Sequence, residues 1–106
     1  VRVQVEHIEW IEAAKDYVFL HTDTRSHIYR ARMCELQARL DPRELTRVHR
    51  STFARLDRAV EVRRKRAGLV LTLESGRKLA VGKKYVEEVE RRLGIPSARR
   101  RSKGGV

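Results

Sequence analysis

Three short segments combine basic side chains with neighbours that donate, accept or stack: Lys15-Asp16-Tyr17, Arg47-Val48-His49-Arg50-Ser51-Thr52 and Lys83-Lys84-Tyr85. Arginine and histidine offer donors to phosphate oxygens and to the acceptor edge of guanine. Lysine adds a mobile point charge, and tyrosine stacks or donates. Arg63-Arg64-Lys65-Arg66 is different, an unbroken basic run better suited to following a charged backbone than to reading bases. Other chemistry is poorly provided for. His7, His21, His27 and His49 share no metal-ligand spacing with Cys34 or a carboxylate. Strand parity lets His21 and His27 face each other across a hairpin, but a pair is too few for a structural zinc site. Ser51 follows His49 without a Gly-x-Ser-x-Gly elbow, and no phosphate-cradling glycine loop occurs. Glu87-Glu88 stands near lysines on an expected helix, where a solvated face accounts for it. These residues describe a chain that is not an enzyme and uses no metal, cofactor or small-molecule substrate.

Charge placement points to the partner. The net charge is +11, and residues 1–53 hold nine Lys/Arg against eight Asp/Glu, whereas residues 54–106 hold sixteen against six. So one-sided an excess attracts a polyanion, with nucleic acid the first candidate. The alternative is a protein-interaction module whose basic half attaches nonspecifically to membrane or RNA. At 106 residues the chain suits one domain, expected over 1–95, with 96–106 as a basic disordered tail carrying Arg99, Arg100, Arg101 and Lys103. Arg63–Arg66 and this tail are expected to supply nonspecific attraction. Cys34 is the only cysteine, which excludes an internal disulfide and fits a reducing, cytoplasmic compartment. No apolar stretch approaches the ~20 residues of a membrane-spanning helix. The chain opens on Val1 in an alternating Val1, Val3, Val5 pattern, which reads as a piece of a longer protein with its upstream receiver or sensor domain missing. With no coiled-coil pattern, the isolated domain is expected to be monomeric and to pair on DNA.

These residues need elements to position them. Ile8–Ala13 reads as a strand, Tyr17–Thr22 is a strong strand signal, and Ser26–Arg30 returns as the second arm of a hairpin about an Asp23-Thr24-Arg25 turn. Met33, Leu36, Gln37 and Leu40 recur at helical spacing up to Asp41-Pro42, which places Cys34 in a buried position. Leu45–Phe53 reads as a strand leading into a loop, and Ala59–Val62 as a short strand ending at Arg63–Arg66. Leu69–Leu73 and Lys78–Val81 form a hairpin about Gly76. A final helix begins near Lys84, with Val86, Val89 and Leu93 inward, and stops at Gly94 and Pro96. The result is a β-rich α+β domain of about seven short strands and two helices, with Trp10, Leu20, Leu36, Val48, Leu71 and Val89 in its core.

At these same positions the sequence resembles the LytTR family of bacterial DNA-binding domains. Ile8-Glu9-Trp10-Ile11-Glu12-Ala13 with Asp16-Tyr17-Val18 is similar to the family's I-x-Y-I-E-A-x-x-N-Y-V. Leu45-Thr46-Arg47-Val48-His49-Arg50-Ser51 is similar to F-x-R-V-H-R-S. Leu73-Glu74-Ser75-Gly76-Arg77-Lys78-Leu79-Ala80-Val81-Gly82-Lys83 is similar to L-x-N-G-x-x-I-P-V-S-R. The resemblance implies an elongated fold of small antiparallel β-sheets with short helices, in which loops and not a recognition helix enter the major groove. It also implies the output domain of a bacterial response regulator that binds promoter direct repeats as a dimer. The implied DNA contacts are Lys15, Asp16 and Tyr17, then Arg47, His49, Arg50 and Ser51, then Lys83 and Lys84. Asp16 replaces the family's usual Asn, Gly82-Lys83 replaces Ser-Arg, and Arg55 replaces Asn, each altering the donors offered. For Arg50 a structural role, paired with Glu44, is the competing expectation.

Overall fold

A computed structural model describes residues 5–66 and 68–96. Among these residues eight strands form two antiparallel sheets. The first sheet contains β1 (Ile8–Ala14), β2 (Tyr17–Thr22), β3 (Ser26–Arg30), β4 (Thr46–His49) and β5 (Thr52–Ala54), in the order β3-β2-β1-β5-β4. The second contains β6 (Ala59–Lys65), β7 (Gly68–Leu73) and β8 (Lys78–Val81), in that order. Helix α1 (Met33–Arg39) joins β3 to β4, and α2 (Val86–Leu93) follows β8 through the one-turn 3-10 segment Lys83–Tyr85.

The first sheet is covered on both faces. Ile8, Ile11, Val18, Leu45 and Phe53 pack with Met33, Leu36 and Leu40 of the α1 region, and Leu20 lies half-buried beside them. Trp10, Val48 and Ala54 face the other way, against Leu69, Leu71, Leu73, Leu79 and Val81 of the second sheet and Val89 of α2. This double covering explains why β1 does not alternate as a one-sided strand would. Ile8, Glu9, Trp10 and Ile11 are all buried, and a register irregularity between Ile8 and Trp10 lets Ile8 and Ile11 share one core. In β7, buried on one face only, Leu69, Leu71 and Leu73 alternate cleanly with Val70 and Thr72.

Several sequence expectations need correction. Residues 1–4 and 97–106, which carry the Val1 and Val3 alternation and the basic tail, lie outside the described residues, and Val5 belongs to a 3-10 turn, Val5–His7. Leu45–Phe53 is not one strand and a loop but the body of a tight hairpin, because Thr52–Ala54 returns along β1. Strand β6 continues through Lys65, so most of the basic run lies in the strand. Cys34 is exposed, because α1 turns Met33 and Leu36 inward and leaves the residue after Met33 on its outer side. His21 does not face His27. A three-residue turn would oppose them, but the Thr22 hydroxyl accepts from the Arg25 N–H at 3.0 Å and the Thr22 N–H donates to the Arg25 carbonyl at 2.8 Å. Thr22 is thereby drawn into the turn, His21 pairs with Ser26 and Leu20 with His27. A one-residue slip sends the two imidazoles to opposite faces.

The sheets are joined by polar links as well as by the shared core. Arg55 is buried, its Nε donating to the Ile8 carbonyl at 2.8 Å and its Nη2 to the Val5 carbonyl at 2.5 Å. It adds a donor that the family pattern lacks, as the sequence suggested, but that donor serves the fold. Ser75 Oγ donates to the buried Glu9 carboxylate at 2.8 Å, and the Arg77 guanidinium lies 4.5 Å from the centre of the Trp10 ring. His21 stacks on Trp10 with ring centres 4.0 Å apart, its Nδ1 2.6 Å from Ser26 Oγ and its Nε2 3.0 Å from Glu12 Oε1. Another link between the sheets, from the Gly82 N–H to the Val48 carbonyl at 2.8 Å, lies near the opposite end of the molecule.

Candidate nucleic-acid interface

Strand direction brings the three basic segments together. Antiparallel pairing of β1 with β5 sets Glu12 opposite Thr52, so the β1–β2 turn at Lys15-Asp16 and the β4–β5 turn at Arg50-Ser51 emerge at one end of the sheet. The Ala13 N–H donates to the Ser51 carbonyl at 2.9 Å, tying these turns directly. The Gly82–Val48 bond attaches the third segment. A methyl group on Gly82 would stand 3.3 Å from Tyr85 Cδ2 and 3.5 Å from His49 Cδ2, so the small residue lets the Lys83 turn lie against the β4–β5 hairpin.

The residues differ in what they have left to offer. Lys15, Asp16 and Tyr17 are exposed, Tyr17 at 47 %. Lys15 holds a left-handed φ of 58°, the one positive φ among the described non-glycine residues. Such a conformation costs an L-residue roughly 1–2 kcal/mol and sharpens the turn. Arg50, Lys83 and Lys84 are exposed, and among the described residues their side chains form no ion pair or hydrogen bond; Arg50 does not pair with Glu44.

Arg47, His49 and Ser51 are half-buried and engaged with one another. The Arg47 Nη1 donates to Gln37 Oε1 at 2.5 Å, its Nη2 to the Arg50 carbonyl at 2.5 Å and its Nε to the His49 carbonyl at 3.3 Å. Its guanidinium also lies 5.9 Å from the ring centres of both Phe53 and Tyr85. One side chain thus joins α1, the β4–β5 turn and the Lys83–Tyr85 segment. The Ser51 backbone N–H points to His49 Nδ1 at 3.3 Å, with Ser51 Oγ 3.0 Å away. A backbone N–H can only donate, so Nδ1 is the acceptor and the neutral ring carries its proton on Nε2. That N–H forms no hydrogen bond among the described residues, and it suits a guanine acceptor.

The basic run Arg63–Arg66 divides. Arg63 lies 3.5 Å from Glu61, while Arg64 pairs with the buried Glu90 at 2.9 Å and donates to the Pro96 carbonyl at 2.5 Å. Lys65 and Arg66 have no ion pair among the described residues, and the pairing of Leu69 with Val81 places their turn at the Gly82 end of the second sheet. Sequence reasoning passed over Arg30 and Arg32, both exposed, which the structure also sets at this end: Arg30 pairs across the hairpin with Tyr17, and the Ala31 N–H donates to the Asp16 carbonyl at 3.2 Å. The signal that would have found them is the true length of the Thr22 turn.

Among the described residues no group of three or more His, Cys, Asp or Glu is placed to hold a metal, and no helix is long and apolar enough to cross a membrane. No curated protein matches the chain. A solved structure does, that of the LytTr DNA-binding domain of a protein from Bacillus cereus described as a methyl-accepting/DNA response regulator. It superposes with a TM-score of 0.81 over 90 % of this chain and 88 % of its own, at 16 % identity. The two-sheet arrangement is therefore a LytTr fold. The profile described as LytTr DNA-binding domain matches residues 1–94, taking in all three basic turns and the strands that gather them. The chain belongs to the LytTR family of DNA-binding domains.

Proposed function

We propose that this domain reads specific duplex sequences as the output part of a bacterial transcription regulator, recognising promoter direct repeats through loops set into the major groove. The observation that carries the reading is the convergence of Lys15-Asp16-Tyr17, Arg50 and Lys83-Lys84 at one end, with their cations unpaired among the described residues. A tight two-stranded tip fits a groove about 12 Å wide. Arg50 carries the readout, its planar fork matching O6 and N7 of one guanine. His49 supplies a second donor through Nε2. Lys83 and Lys84 act with less discrimination, as point charges. Arg47 holds the Arg50 turn in place and does not itself touch DNA, and Ser51 orients His49. The domain acts in the cytoplasm behind an upstream receiver or sensor domain, is monomeric alone and pairs on DNA.

Selection from a random duplex pool, read at two salt concentrations, tests this. The expected outcome is one enriched motif bound about 10³–10⁷ times more tightly than random duplex at physiological salt. Binding to every duplex alike, with affinity set by salt only, would instead assign the basic half to nonspecific attachment.

A further inference from the structure

We propose that Arg30, with Arg32 beside it, contacts backbone phosphates and extends the DNA footprint from the turns onto the edge strand β3. This rests on the reading that the end bearing the three basic turns docks on duplex DNA. Arg30 stands directly across from Tyr17, so both side chains leave the same face of the sheet, the one that carries Trp10 farther along β1, and both are exposed. Neither arginine has an ion-pair partner among the described residues. Of the carboxylate residues bonded to this segment, Asp16 is held through its backbone carbonyl by the Ala31 N–H, and Glu35 Oε1 accepts the Arg32 backbone N–H at 2.9 Å.

The spacing of strands says which part of the DNA these residues meet. Strand β3 is the free edge of its sheet, two places from β1. At about 4.8 Å per strand it lies roughly 10 Å to the side of β1. If the β1–β2 tip enters a groove about 12 Å wide, β3 falls at the groove wall, where phosphates and not base edges are presented. The hairpin carries its own control. Arg25 is also exposed, but it lies in the β2–β3 turn at the opposite end of the same two strands.

The test compares Arg30→Ala, Arg30→Ala with Arg32→Ala, Arg30→Lys and Arg25→Ala on the selected site and on random duplex, by fluorescence anisotropy across a salt series. Arg30→Ala should weaken both duplexes by the same factor and flatten the salt dependence by about 0.9 in log–log slope, the double variant by about 1.8. Arg30→Lys should restore most of that slope, and Arg25→Ala should match the parent. Equal behaviour of the Arg30 and Arg25 variants overturns the proposal, as does a changed base preference in Arg30→Ala, which would make the residue a reader. A parent protein without an enriched motif defeats the sequence-specific reading alone. The contrast between Arg30 and Arg25 on random duplex still decides the phosphate contact.

Discussion

Two regions of this molecule are rich in arginine and polar groups, and they use them in opposite ways. At the joint between the sheets, Arg55 and Arg77 are drawn into the fold, one by carbonyl oxygens and the other by the Trp10 ring. At the end where the three basic turns meet, Lys15, Arg50, Lys83 and Lys84 extend from turns with no ion pair among the described residues. Charge density alone does not separate these regions. What separates them is whether the chain supplies the partner, because a cation already satisfied inside the fold has less to exchange with a phosphate or a base.

The largest effect that can break this comparison belongs to Arg55. Arg55→Ala removes the donors to the Ile8 and Val5 carbonyls from a buried site. Hydrogen bonds from a charged group contribute about 1.5–3 kcal/mol, so chemical denaturation should show a loss of about 3 kcal/mol. Duplex preference at low temperature should stay unchanged. A shifted base preference with unchanged stability would place Arg55 in the interface after all.

Arg50→Ala tests the other region with the opposite signature. Specific affinity should fall by about 1–3 kcal/mol, with preference relaxed at one base pair and the melting midpoint unchanged. A melting loss large enough to explain the binding loss would return Arg50 to the fold.

Arg47 lies between the two regions in behaviour. Arg47→Ala should lower the ratio of specific to random binding by about tenfold, equivalent to about 1.4 kcal/mol, through a turn that is no longer held. Arg47→Lys should rescue little, since one ammonium cannot reproduce the fork that spans Gln37, His49 and Arg50. Full rescue by lysine would show that charge, and not the held geometry, is what matters.

Lys15→Gly should separate stability from binding at a single residue. Glycine relieves the left-handed φ, so thermal unfolding should show a gain of about 1 kcal/mol. DNA binding should weaken as one cation is lost. Gains in both quantities would remove Lys15 from the interface.

The smallest effect concerns the basic run. Replacing Lys65 and Arg66 by alanine should flatten the salt dependence by up to about 1.8 in log–log slope, about 0.9 per phosphate. Replacing Arg63 alone should change it less, since Glu61 already faces that side chain.

Much of this molecule was legible in order and spacing. The apolar run in Tyr17–Thr22, the alternation in Leu69–Leu73 and Lys78–Val81 and the stripe of Val86, Val89 and Leu93 are local signals, each written within one element. The three motif segments likewise named the family without reference to the fold. Their convergence was not legible, because strand pairing and not proximity in sequence brings Ser51 to Ala13 and Gly82 to Val48. Nor was the division of labour within one motif. Arg47 and Arg50 are three residues apart in type-identical side chains, yet only the packing of Gln37, Phe53 and Tyr85 around Arg47 binds one and leaves the other exposed. Arg30 was hidden by a single hydroxyl, since Thr22 closing its own turn sets the register that places it opposite Tyr17. Sequence determined which residues could bind a polyanion. Tertiary structure decided which of them remain free to do so, because partners for a charged side chain come from elements far away in the chain.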